Sequence, residues 1–378
     1  MHINIKKIID FRQKLHKFPE LSGKEANTVQ KIIKFISPFQ PDKIYTQIGG
    51  NGLAIEFTGS EKGKTIIFRA ELDALPIDET NSKLPYRSAV KGVSHKCGHD
   101  GHIAILTALA EAISYDRPKK GRIILLFQPE EETLTGAVKI LNDPQFNNLE
   151  PDIIIGFHNV PEYPINTLIV KDKNFTAATN GIKITFKGKK AHAAYPFEAI
   201  SPTEAVEKIL KFIRYDIYTA DFKDKILITL TFLNIGTPNM GITPDNAQIW
   251  LVIRSYEYED LDKAISLIRD YTEKIAKQFN LQYKIQFSDD APPIYNDPNL
   301  TNSIINIAKQ TGFNVIEKKE PFLWAEDFGY YTIKYKGVYF ALGNGLKTQL
   351  HSENYDFPDA MLYDAALLMY NIYKHFQN

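Results

Sequence analysis

Cys97 is the only cysteine in 378 residues, and three of the chain's nine histidines, His95, His99 and His102, crowd around it in the segment SHKCGHDGH (94–102). A lone cysteine without such context is usually an inert buried residue. Here Cys97 and His99 flank Gly98 on an expected loop leading into a helical pattern, where side chains are less committed to packing. Thiolate and imidazole both suit zinc and its transition-metal neighbours, and a bound cation would keep the thiol deprotonated.

Three other segments offer donors of the same kind. PEEE (129–132) follows the apolar run RIILLFQ, His158 follows DIIIGF, and His351 follows GVYFALGNG. Each is expected just past the carboxyl end of a strand, where α/β sheets gather their ligands. A single strand-end histidine is more often a hydrogen-bonded polar residue, and PEEE alone reads equally as a solvated charge run. The joint pattern shifts that balance. Cys97, His99, one glutamate of PEEE, His158 and His351 make five donors. A structural zinc takes four ligands and a catalytic one three plus water, so five donors beside a spare carboxylate suit two ions about 3.5–4 Å apart.

The elements that must position these donors are legible as patterns. Amphipathic helices are expected at about 4–17 and 23–39, strands at GLAIEFTG and KTIIFRAE, and a long helix from His99 to about Ser114. RIILLFQ and DIIIGF read as buried strands of a covered sheet. This is an α/β domain with some parallel strands. From about residue 178 the order becomes β-α-β-β-α-β, that of a ferredoxin-like unit. After APPIYNDP come a helix from Leu300 to about Gln310, the strand GVYFAL and a last helix from about Asp359. The expected organisation is a catalytic domain (1–177 and 290–378) interrupted by a smaller inserted one (178–289).

Lys+Arg and Asp+Glu balance at 45 each, which removes a general electrostatic drive toward nucleic acid or an anionic membrane and points to a small-molecule partner. The first residues lack the continuous apolar core of a signal peptide, and no apolar run reaches the roughly 18 residues of a membrane span. One cysteine cannot form an internal disulfide, in keeping with a reducing compartment. A cytoplasmic location is expected.

In order along the chain, FRQKLHKFPELSGKE, FRAELDALPI, SHKCGHDGH, FQPEEE, GFHNVPEYP, GKKAHAAYP, PDNAQIWLVIRS, WAEDFGYY and LHSENYDFPD resemble the dinuclear metal amidohydrolases and peptidases. These are related to aminoacylase, hippurate hydrolase, plant auxin-conjugate hydrolases and N-acetyl-diaminopimelate deacetylase. The resemblance implies a zinc-exopeptidase-like catalytic domain with an inserted ferredoxin-like lid and dimerisation domain. It implies that Cys97, His99, Glu132, His158 and His351 hold two divalent ions, zinc or manganese with nickel and cobalt also open. Glu131 would be the general base of a metal-promoted hydrolysis of N-acyl amino acids. In an extended segment the adjacent Glu131 and Glu132 would diverge, one to metal and one to water. Asp73, Asp100 and His102 look like residues that orient the ligands. The resemblance gives His192 the role of stabilising the oxyanion in the site of a partner subunit, hence a homodimer.

Arg254, at the end of AQIWLVIRS, reads as a holder of a substrate carboxylate or as a plain surface arginine. Gly241, Glu130 and Asn166 depart from the usual Asn, small residue and Gly of relatives, which bears on the substrate and leaves the donor set intact. Competing readings are a dipeptidase or carboxypeptidase on the same scaffold, a catalytically silent metal-binding protein, and a cysteine hydrolase using Cys97 with His99 or His102.

Overall fold

The computed structural model describes residues 1–80 and 83–377. They divide into two compact units, Met1–Phe175 with Ile294–Glu320 and Glu326–Asn378, and Thr176–Pro293 with Pro321–Ala325. In chain order the first unit begins α1 (Ile5–Lys17), α2 (Ala26–Ile36), β1 (Lys43–Ile48), β2 (Gly52–Thr58), β3 (Glu61–Glu71), α3 (His99–Tyr115), β4 (Lys120–Gln128), α4 (Gly136–Leu141), α5 (Pro144–Asn147), β5 (Ile153–Val160), β6 (Thr167–Val170) and β7 (Lys173–Asn174). The second unit holds β8 (Ala178–Lys187), α6 (Thr203–Arg214), β9 (Ile226–Ile235), β10 (Asn246–Ser255), α7 (Tyr258–Gln278) and β11 (Gln282–Ala291). The chain then adds β12 (Tyr295–Asn296), α8 (Pro298–Gln310), β13 (Asn314–Glu317), α9 (Gly329–Lys334), β14 (Lys336–Gly343) and α10 (Leu362–Gln377) to the first unit.

The main sheet of the first unit has eight strands in the order β1-β2-β4-β3-β5-β14-β6-β13. Its centre is parallel, with β3 between β4 and β5 and β14 beside β5. Ile123 to Phe127 and Ile153 to Ile155 are buried without alternation, as strands covered on both faces must be. Each such aliphatic side chain contributes about 1.5–3 kcal/mol by leaving water, before the entropy of ordering it is deducted. Helix α3 is buried along its length from His99 to Ile113. It can therefore be apolar on every side, packed between β3, α1 and α10. Because α3 cannot shift without opening this core, the loop at its N-terminus is held firmly.

Gly98 ends that loop at φ +92, and a Cβ there would lie 2.5 Å from Asn159 Nδ2 and 2.9 Å from Tyr355 Oη. Only glycine fits both the left-handed backbone and that approach.

The second unit is a four-stranded antiparallel sheet, β11-β8-β10-β9. Ile182, Ile184 and Phe186 of β8 and Ile249, Leu251 and Ile253 of β10 pack on α6 and α7 through Val206, Ile209, Leu261, Ala264 and Ile268. GIKITFKG alternates apolar and polar residues with period 2, since one face alone is covered by helices.

The expected helix at 23–39 is shorter, because Pro38 has no N–H to extend the ladder and Ser37–Phe39 tightens into a 3₁₀ turn. Strand β1 escapes a search for apolar runs because KIYTQI lies at the sheet edge with most side chains in solvent. Among the described residues no helix is long and apolar enough to cross a membrane.

Candidate metal centre

The parallel strands β3, β4, β5 and β14 all present their carboxyl ends on one edge of the sheet. Asp73 follows β3, Glu131 and Glu132 follow β4, and His351 lies on the loop after β14. His158 does not follow its strand as expected. It sits inside β5, opposite Ala341 of β14, where alternation turns it to the face opposite Phe157 and Asn159.

Cys97 Sγ lies 3.3 Å from Nε2 of His158 and 3.3 Å from Nε2 of His351. His99 Nε2 is 3.7 Å from Glu131 Oε2 and 3.8 Å from Glu132 Oε1, and His351 Nε2 is 3.7 Å from Glu132 Oε2. Donor atoms of Cys97, His99 and His158 fall within 4.8 Å of one another, as do those of Cys97, Glu132 and His351. Two triads thus share one thiol. His99 Nδ1 faces the Asp73 carbonyl at 2.8 Å and His158 Nδ1 faces the Asn159 carbonyl at 2.7 Å. Donating there leaves both Nε2 lone pairs turned to the cluster. His99 Nε2 and Glu132 Oε1 are buried without a hydrogen-bond partner. Buried polar atoms are rarely left so, and both aim at a space ringed by soft and borderline donors. A divalent ion of the zinc type fits this donor set.

The local electrostatics agree. Burial, with Glu326 and Glu132 close by, pushes the Glu131 carboxyl well above its usual range. Burial outweighs the pull of His99 and lifts Glu132 to about 7. Burial, with Glu132 and Glu131 close by, holds the Cys97 thiol far above an ordinary thiol. Burial disfavours the His99 cation, yet its hydrogen bond to Asp73 and the charges of Glu71 and Glu132 raise its pKa to about 10, so a metal ion binding at Nε2 would displace a proton there. Burial and His102 drive His158 well down. Bound divalent charge would favour the ionised forms of these carboxylates and of the thiol.

Glu131 and Glu132 do not diverge by strand alternation. They lie in a turn closed by Leu134 N–H on the Glu131 carbonyl at 2.7 Å, and both carboxylates approach His99. Their further neighbours separate them. Glu131 groups with Glu326 and Asp327, whereas Glu132 groups with Cys97 and His351. Glu132 N–H donates to Asp73 Oδ2 at 3.0 Å, and Ser22 Oγ donates to the same oxygen at 2.7 Å. His102 pairs with Glu71 at 2.7 Å and accepts from Asn159 N–H at 3.1 Å. Asp100 is bonded to His16 at 2.9 Å and to Arg12 at 3.2 Å.

Arg69 was not anticipated. Fully buried, it spans Glu71, Glu326 and Asp327, with 2.8 Å contacts to the last two. Its signal was present in FRAELDALPI, where Arg69, Glu71 and Asp73 place three charges at period 2 inside an apolar strand run.

Glu130 and Asn166 adopt φ +55 and +61, and each is tied by its side chain, Glu130 to Lys139 at 2.6 Å and Asn166 to Asp364 at 2.8 Å.

His192 and Arg254 belong to the second unit. His192 is exposed, accepts from Ala194 N–H at 3.1 Å and pairs by its backbone with Ile242. Gly241, from the same loop, accepts from Ala193 N–H at 2.9 Å. Arg254 donates to the Leu323 carbonyl at 2.6 Å.

Comparison with known proteins returns one family for this arrangement. Residues 67–375 match the peptidase family M20/M25/M40. An N-acetyl-L-cysteine deacetylase of Bacillus subtilis is 30% identical over 98% of this chain and 88% of its own length. A thermostable carboxypeptidase of Saccharolobus solfataricus is 33% identical over 89% of this chain and 85% of its own. A solved structure of a Bacillus subtilis protein, described as a dinuclear metal-binding peptidase of the M20 family, superposes with a TM-score of 0.82 at 27% identity, covering 97% of each chain.

Proposed function

The chain belongs to the peptidase family M20/M25/M40, and from that membership we propose that it hydrolyses the amide bond of N-acyl amino acids with two divalent ions. The observation that carries this is the thiol of Cys97, shared by two donor triads, beside Glu131, a carboxylate that belongs to neither. Cys97, His99 and His158 would form one set of ligands and Cys97, Glu132 and His351 the other. Zinc or manganese suits them, with nickel or cobalt tolerated. Bound there, the ions supply Lewis acidity toward the attacking water and the scissile carbonyl.

The chain's own residues do the rest. Glu131 takes the proton of the attacking water and returns it to the leaving amine. Asp73 orients His99 and, through the Glu132 N–H, the turn that carries both glutamates. Asp100 and His102 anchor the first turn of α3. Arg69 balances Glu71, Glu326 and Asp327, so that Glu131 can sit among them.

The second unit, in its β-α-β-β-α-β order, is read as a ferredoxin-like inserted lid and dimerisation domain, roughly residues 178–289. In a homodimer His192 would reach the oxyanion in the other subunit's site, and Arg254 would hold a substrate carboxylate. A sole cysteine that must stay reduced is in keeping with a cytoplasmic location. The carboxypeptidase relative supports a second reading, cleavage of dipeptides or C-terminal residues on the same centre.

A hydrolysis screen decides between these. Metal-stripped protein is offered N-acetyl, N-benzoyl and N-formyl amino acids and dipeptides, before and after zinc or manganese is restored. Turnover of the N-acyl amino acids only after metal is restored is expected. Turnover in chelator would overturn the metal mechanism, and cleavage of dipeptides alone would favour the second reading.

The dimer has its own check. His192→Ala should keep its metal and lose roughly 10²- to 10³-fold in rate, the usual loss for an oxyanion donor. Mixing His192→Ala with Glu131→Gln subunits should restore activity by building one intact site per heterodimer. Confirmed subunit exchange without recovery would show that His192 does not act across subunits.

A further inference from the structure

We infer that Lys96 is a positioning residue of the metal centre, clamping the loop that carries His351 onto the loop that carries Cys97. The inference rests on the reading of the site given above and assigns this work to a residue outside the proposed ligand set.

Lysine is almost never fully buried without a partner, yet Lys96 has no exposed surface. Its ammonium donates to Glu79 Oε1 at 2.5 Å and to the Tyr355 carbonyl at 2.7 Å. Its own carbonyl accepts from His351 N–H at 2.7 Å. One residue therefore grips the His351 loop at two points, by main chain at His351 and by side chain at Tyr355.

That loop needs a grip. Between Gly343 and Asp359 it contains no helix or strand. His351 holds a left-handed backbone at φ +63, which costs a non-glycine residue energy and persists only where surroundings impose it. Its side chain is 51% exposed, whereas those of Glu132 and His99 are 10% and 0%, so packing alone fixes it least.

The other end of the clamp is anchored. Glu79 also accepts from Ser88 N–H at 2.7 Å and contacts His16 Nε2 at 3.1 Å. His16 in turn meets Asp100 at the start of α3. On the far side, Tyr355 Oη donates to Asn159 Oδ1 at 2.5 Å, and Asn159 Nδ2 donates to the Cys97 carbonyl at 2.7 Å. Lys96 thus closes a ring of contacts through the segments that carry Cys97, His158 and His351. Without the ammonium, Glu79 keeps His16 and Ser88, while the Tyr355 carbonyl loses its donor and the His351 loop loses its tether.

The experiment titrates metal-stripped protein with zinc by calorimetry and follows amide hydrogen exchange in the same samples. In Lys96→Met one of the two binding events should weaken by about 10- to 100-fold, the usual effect of losing a residue that supports a ligand, with the other unchanged. Exchange should speed up in residues 347–357 and not in α3. Glu79→Gln keeps an acceptor without its charge and should shift the same event in the same direction by less. Two wild-type binding events and unaltered exchange in Lys96→Met overturn the clamp. So does unfolding of both variants, since the role would then be general stability. If the wild-type chain itself binds fewer than two ions, the reading of the site fails, and faster exchange confined to 347–357 still decides the clamp.

Discussion

Glu131→Gln is expected to retain its metal and lose roughly 10²- to 10⁴-fold in kcat, the range for removal of a general base. Glutamine keeps the size and one acceptor oxygen of the side chain but cannot take a proton from water. Cys97, His158 and His351 are untouched by the change, because Glu131 groups instead with His99, Glu326 and Asp327. Burial and those acidic neighbours already disfavour its charged form, so the neutral amide should not destabilise the fold. Glu132→Gln should behave differently, losing metal together with activity, since Glu132 reaches both His99 and His351. Metal analysis and steady-state kinetics on the two variants side by side make the check. Equal metal loss in both would show that the two glutamates share one role.

Cys97→Ser is expected to lose at least one ion per chain and nearly all activity. The thiol lies 3.3 Å from both His158 Nε2 and His351 Nε2, so its loss weakens both triads at once. A serine hydroxyl ionises far less readily than a thiol and is a poorer ligand for borderline-soft ions. Burial and the neighbouring glutamates also hold Cys97 protonated unless a cation draws the proton off, which makes metal binding release protons and weaken as pH falls. Elemental analysis after desalting, with thermal melting at increasing zinc, reads both effects. Undiminished metal content in Cys97→Ser would remove the thiol from the centre.

Some of this molecule was open to inspection in its residues, and some was not. The runs RIILLFQ and DIIIGF declare covered strands because burial on both faces demands continuous apolar side chains. The alternation of β8 and β10 declares a sheet covered on one face. Residue types near strand ends declare the chemistry, since thiol, imidazole and carboxylate bind metal wherever they meet. Strand β1 stayed hidden because an exposed edge strand carries no such pattern.

Whether the donors meet, and what holds them, was decided by tertiary structure alone. Cys97 and His351 are 254 positions apart, Arg69 and Glu326 257, and no local propensity encodes such distances. The division of labour proposed for Glu131 and Glu132 rests on a turn and on which buried acids lie behind each. The grip of Lys96 follows from three loops meeting at one buried ammonium. The sequence by itself determined which chemistry was available and which of the covered segments would be strand or helix, because both depend on residue type and short-range period. The packing of β3, β4, β5 and β14 in parallel decided that the donors share one edge of the sheet, because only long-range pairing brings remote segments into register.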